Sequence, residues 1–147
     1  MTDIQDKILI GWREWVVLPE LGIKKIKAKI DTGARTSALH AFDITTYKQH
    51  TKLKVHFLIH PLQHNTNYFV ECDHDVADYR NVSDSGGHNE QRYVIKTPMI
   101  VGGKEFPIEV TLTNRDTMFF RMLLGRTALR AGHYLINPAK SFLLGKL

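Results

Sequence analysis

An all-β domain built mostly from antiparallel strands, with one short helix near the C-terminus, is the fold class this sequence predicts. Three observations predict it. Apolar and polar residues alternate at period two over long stretches, turn-forming Gly and Pro fall between those stretches, and only one segment strings together good helix formers. The 147 residues are 43% apolar and 24% charged, which suits a chain with its own core and is too apolar for a disordered one. No repeat or Pro/Gly/Ser-rich linker interrupts it, so a single domain over 1–147 is expected.

The elements follow in order. Trp12 and Trp15, flanking Arg13 and Glu14, read as packing residues of a first strand, because large aromatics dominate cores. Over 25–31, Ile26, Ala28 and Ile30 point one way and Lys25, Lys27 and Lys29 the other. Over 52–60, Leu53, Val55, Phe57 and Ile59 oppose Lys54, His56 and His60. Residues 71–92 carry many acids and little periodicity, which predicts a mobile hairpin or loop. Strands over 92–101 and 106–113 are joined through Gly102-Gly103, a hairpin signal. Residues 125–132 form two turns of helix closed by glycine. Final strands are expected at 134–136 and 141–144, with Asn137-Pro138 turning between them.

Charge and composition narrow the function classes. The net charge is +5, and residues 111–147 carry the whole excess through Arg115, Arg121, Arg126, Arg130, Lys140 and Lys146 against Asp116. A basic region suits nucleic acid, an acidic peptide or a partner protein. No zinc knuckle, RNA-binding signature or helix-turn-helix pattern accompanies it, so nucleic acid is not expected. Apolar runs such as Met122-Leu123-Leu124 are far short of a bilayer's thickness, so no membrane partner is expected. The start has acids where a signal peptide needs bases, and the lone Cys72 fits a reducing, cytoplasmic setting.

The chemistry points to Lys29-Ile30-Asp31-Thr32-Gly33-Ala34. A carboxylate closes an alternating strand just before a residue whose missing Cβ lets another chain come close. Such a carboxylate can polarise water. Amide hydrolysis needs both a base for the water and an acid for the leaving nitrogen. Two carboxylates about 3 Å apart supply both, because they share one proton. The chain holds one Asp-Thr-Gly, so such a pair requires a symmetric homodimer.

With Met122-Leu123-Leu124-Gly125-Arg126 before the helix, about ninety residues after Asp31, the chain resembles the retropepsin-like aspartic peptidases. Over Lys29 to Ala41, Arg80-Asn81-Val82 and Leu112 to Leu129 it is similar to a bacterial family labelled ATP-dependent zinc protease or retropepsin-like. The resemblance implies a closed barrel with one C-terminal helix. It implies Asp31 as the catalytic aspartate, Thr32 as a buried hydroxyl bracing paired loops, and Gly33 as the close-approach glycine. Leu123, Leu124 and Gly125, with Arg126, would support the site from below, and Ser85, Gly86 and Gly87 would form a flap tip. It also implies an association with ATP-grasp glutamate ligases.

Arg35 stands directly after Ala34, where retroviral enzymes commonly have an acid, and Arg80 and Arg115 are further candidates to approach the cleft. Guanidiniums there would favour an acidic peptide substrate by charge-assisted hydrogen bonds; three solvated surface arginines are the competing reading. No cofactor is expected. His-Glu-x-x-His is missing, His56, His60 and His64 do not share a helix, adjacent Cys72 to Asp75 cannot all reach one ion, and Gly103-Lys104 lacks a phosphate loop's upstream glycine. Three readings stand: a dimeric aspartic-type peptidase, a non-catalytic barrel binding an acidic partner, and a zinc protease.

Overall fold

The structure is a computed structural model that describes residues 7–63, 65–83, 86–115 and 118–145. Its elements are β1 (Ile8–Ile10), β2 (Arg13–Leu18), β3 (Ile23–Ile30), β4 (Ser37–His40), β5 (Phe42–Gln49), β6 (Lys52–Ile59), β7 (Val70–Asp75), β8 (Asp78–Ser83), β9 (Asn89–Val101), β10 (Lys104–Thr113), β11 (Met122–Leu124), α1 (Arg126–Ala131) and β12 (Tyr134–Ile136). A 3-10 turn, Pro19–Leu21, links β2 to β3.

Six strands close on themselves in the order β10-β4-β11-β3-β2-β9, with β9 pairing back to β10. Period-two alternation fills the interior with Val16, Leu18, Ile26, Ala28, Leu39, Ile95, Met99, Val110, Leu112, Met122 and Leu124. The expected barrel with one short helix is therefore present. Most pairings are antiparallel; β1 with β12, β4 with β10 and β3 with β11 are parallel.

The β9–β10 hairpin turns at Gly102 and Gly103, whose φ of +60° and +81° suits a tight two-residue turn that side chains resist. A second sheet, β5-β6-β7, buries Val55, Phe57, Ile59 and Cys72 on one face. The Cys72 thiol donates to Leu21 O at 3.4 Å, and burial pushes its pKa up to about 12.

Two expectations are corrected. The hairpin or loop expected over 71–92 is in part a hairpin, but the segment also holds a strand of the second sheet that was not expected. β7 joins the second sheet, and β8 forms a hairpin with the N-terminal half of the long β9, in register from Asp78 opposite Val94 to Ser83 opposite Asn89. The acids that obscured the periodicity are outward residues of these strands, such as Glu71, Asp73 and Asp75. Residues 141–144 are not a strand but a turn. Buried Glu14 explains it: its carboxylate accepts N–H bonds from Gly11 at 2.7 Å, Leu143 at 2.9 Å and Leu144 at 3.1 Å, replacing a ladder partner. Trp12 falls in the break between β1 and β2, and Trp15 is half-buried on the barrel's outer side.

Candidate active site

β3 and β4 are consecutive in sequence yet do not pair. The loop 31–36 joins them, and β11 enters between them from far along the chain, parallel to β3 and antiparallel to β4. Leu123 lies opposite Lys29 and Leu124 opposite Ile30. The strand is too short to be stable alone. It holds because Met122 and Leu124 are buried in the barrel and both of its edges are paired.

Asp31 continues this ladder, its N–H donating to Leu124 O at 2.8 Å. The carboxylate's Oδ1 accepts the Gly33 N–H at 3.0 Å, and the Ala34 N–H donates to Asp31 O at 3.2 Å. The side chain is therefore oriented by its own loop while remaining half-buried. Thr32, expected as a buried brace, and Gly33 are both exposed at the loop apex on the single chain. Thr32 O accepts from the Arg126 guanidinium at 2.9 Å.

Below the loop, Gly125 allows the closest approach. A Cβ there would meet Thr36 C at 2.7 Å, Thr36 O at 2.8 Å and Ala34 O at 2.9 Å, all backbone atoms. Gly125 N–H donates to Ser37 Oγ at 3.1 Å. The first N–H groups of α1 have no side-chain cap; Arg126 donates to Ala34 O at 2.8 Å and Thr127 to Arg35 O at 3.0 Å. The aspartate loop's carbonyls thus cap the helix, locking loop and floor together. Leu123, Leu124, Gly125 and Arg126 all sit beneath or against the loop.

Arg35 and Arg80 line one cleft of about 230 Å³, together with Lys96 and Glu109. Arg80 is already engaged there, bonding Asp78 Oδ2 and Glu109 Oε2 at 2.9 Å each. Arg115 is not among that cleft's lining; its backbone N–H donates to His40 Nδ1 at 3.2 Å, at the other end of β4 from Ser37. Gly86 and exposed Gly87 lie in the turn of the β8–β9 hairpin, Gly87 with φ +82°; Ser85 lies outside the described residues.

A buried polar chain missed in the sequence ties that hairpin to the loop. Arg92, 7% exposed, donates to Glu90 Oε2 at 2.9 Å and to Thr111 Oγ1 at 3.3 Å. Thr111 Oγ1 donates to Ser37 O at 3.2 Å, and Thr113 Oγ1 donates to Glu90 Oε2 at 3.0 Å. Nothing in their spacing announced it, since β9, β10 and β4 meet only when the barrel closes.

Among the described residues, no group of three or more His, Cys, Asp or Glu is arranged to hold a metal ion. The two segments weighed for zinc are spent on other partners. His56 bonds Glu71 and His60 stacks on Phe42 at 4.3 Å, while His64 lies outside the described residues. Asp73 accepts from the Tyr47 hydroxyl, His74 bonds Glu20, and Asp75 pairs with Lys54. Among the described residues, no helix is long and apolar enough to cross a membrane.

A closed barrel in which a short apolar strand and a glycine underpin an Asp-Thr-Gly loop defines the retropepsin-like class. The profile of the RimB-like family, described as "Retropepsin-like aspartic endopeptidase RimB", matches residues 9–146, and the chain belongs to that family. It is 43% identical over 141 residues to a Shewanella pealeana protein named "Probable alpha-L-glutamate ligase", covering 96% of this chain and 31% of that one. A Desulfotalea psychrophila protein of the same name is 45% identical over 145 residues, covering 99% and 31%. The chain thus spans about a third of these relatives. A solved Legionella pneumophila protein of unknown function shares the fold, with a TM-score of 0.76, 24% identity and coverage of 92% and 97%.

Proposed function

We propose that this protein is a homodimeric aspartic-type peptidase that cleaves acidic peptides. The observation that carries the reading is Asp31: its backbone is fixed by Leu124 O, Oδ1 is held by the Gly33 N–H, and the exposed Thr32–Gly33 apex is free to meet a second copy. Brought to about 3 Å, two such carboxylates share one proton and titrate as a coupled pair. The ionised one takes a proton from water as its oxygen attacks the scissile carbonyl. The protonated one then delivers its hydrogen to the leaving amine as the C–N bond breaks. The β8–β9 hairpin, with glycines in its turn, serves as the flap that covers substrate.

Arg35, beside Lys96 and Arg80 in one cleft next to the aspartate loop, supports the acidic preference. The relatives named as glutamate ligases support the same chemistry: a domain like this one occurs within chains whose name implies glutamate addition. We infer from them an association with a glutamate ligase.

Asp31→Asn is the test. It keeps the Gly33 N–H acceptor and the shape, so dimer mass and thermal midpoint should stay while cleavage of glutamate-rich peptides falls at least a thousandfold. A fully active monomer by sedimentation, or an active Asp31→Asn protein inhibited only by chelators, overturns the reading.

A further inference from the structure

Elsewhere, lysine and arginine side chains meet carboxylates: Lys54 with Asp75, Arg80 with Asp78 and Glu109, and Arg92 with Glu90. The outer face of β2 and β3 is different. Lys25, Lys27 and Lys29 stand in a row on β3 with Arg13 opposite Lys29 on β2 and Trp15 opposite Lys27. Among the described residues none of these four cations forms an ion pair. The row leads to the C-terminal end of β3, where Asp31 follows at the next alternate position.

Two buried donors beside this row also lack an acceptor. Lys27 Nζ donates to Gln63 Oε1 at 3.0 Å, leaving buried Gln63 Nε2 unpartnered. The Arg121 side chain, 9% exposed, makes a long 3.5 Å bond to Gln63 O, and among the described residues its Nε has no partner. Trp15, Lys27 and Gln63 line a cavity of about 300 Å³ together with Pro61, Leu62 and Asn65. Cationic and neutral donors short of acceptors, next to a cavity, call for an anionic oxygen ligand.

We propose that the outer face of β3 is an extended docking track for a run of acidic residues, whose carboxylates meet Lys29, Lys27 and Lys25 in turn, the middle one entering the Gln63 cavity. This deepens, and rests on, the peptidase reading. The period fits: alternate residues of β3 and of an extended peptide are both spaced about 6.6 Å apart. From Asp31 the track runs about 13 Å to Lys27 and about 20 Å to Lys25, so a peptide needs roughly four and six residues beyond the scissile bond to reach them. Carboxylates suit the face better than nucleic-acid bases, because its indoles have no clear stacking surface. Trp15 is stacked on Phe142, with Lys25 and Lys27 ammoniums each 5.3 Å from its ring, and Trp12 is covered by Arg13 at 4.7 Å and Phe120 at 5.7 Å.

The test measures binding without turnover. In the full-length Asp31→Asn protein, fluorescence anisotropy is followed for labelled peptides of three and of ten glutamates. Lys25→Glu/Lys27→Glu should weaken the ten-glutamate peptide at least tenfold and change the three-glutamate peptide less than twofold. Lys25→Ala/Lys27→Ala, gentler on the fold, should give the same ranking with a smaller loss. Equal losses for both lengths, or no loss for the longer one, overturns the track. So does an oligouridylate of equal charge that binds as tightly with the same lysine dependence, since the face would then serve nucleic acid. If the wild type cleaves nothing while the length-dependent lysine effect holds, the peptidase reading fails and the track stands; cleavage without that effect has the reverse meaning.

Discussion

Replacing Gly125 by alanine probes the packing on which the site depends. The residue has φ −91° and ψ 177°, a conformation that alanine adopts freely, so any cost is steric rather than torsional. The added methyl would sit 2.7 Å from Thr36 C, 2.8 Å from Thr36 O and 2.9 Å from Ala34 O. These are backbone atoms of a loop already bonded to Leu124 O and to the helix start, so no side chain can swing aside. Overpacking of this kind costs about 1–3 kcal/mol. Pushing the floor away also stretches the Gly125–Ser37 and Arg126–Ala34 hydrogen bonds, about 1 kcal/mol each. The expected loss is about 3 kcal/mol, or roughly 10 °C in thermal midpoint at this chain length. Calorimetry at fixed protein concentration reads it, since dimerisation would make the midpoint concentration-dependent. Ser37→Ala, which orphans the Gly125 N–H without adding bulk, should cost about 1–2 kcal/mol and couple non-additively with Gly125→Ala. A Gly125→Ala protein melting within about 1 °C of wild type would refute the close packing of floor on loop.

Acid should loosen the end of β7 and the start of β8. Hydrogen bonding to Lys54, and its charge, hold Asp75 below its usual 3.8; the Tyr79 N–H and then Arg80 do the same for Asp78. A depressed folded-state pKa adds stability that is present above 3.8 and lost as pH falls through the lower folded value. Urea midpoints measured from pH 5 to pH 2 should therefore fall most steeply below about pH 4, and Lys54→Met should flatten part of that slope. Cys72, buried with its pKa pushed up to about 12, should resist iodoacetamide at pH 8 in the native protein and react at the rate of unfolding; prompt labelling would contradict its placement.

Much of the architecture was written in local pattern. Alternation in Lys25–Asp31 and 52–60 placed β3 and β6, Gly102-Gly103 placed the β9–β10 turn, and the run after Gly125 placed α1. Where alternation was masked by acids on the outward face, as in β7, the strand went unseen, and β8 was expected only within a hairpin or loop, because those residues answer to cross-strand partners rather than to a local period. The C-terminal strand expected at 141–144 failed for a related reason: a distant buried carboxylate, Glu14, took the N–H groups a ladder would have used.

The sequence alone determined which residues could do the chemistry: one Asp-Thr-Gly at a strand end, one apolar-Gly-Arg segment before a helix, and alternating lysines at 25, 27 and 29. Only the tertiary structure decided what they do to each other. It inserted β11 between β3 and β4, turned the loop carbonyls of Ala34 and Arg35 into helix caps, engaged Arg80 with Asp78 and Glu109, and, among the described residues, left the β3 lysines without carboxylates. Periodicity reports the face on which a side chain stands. The partner it meets there is supplied by strands far away in the chain, and becomes known only when the barrel closes.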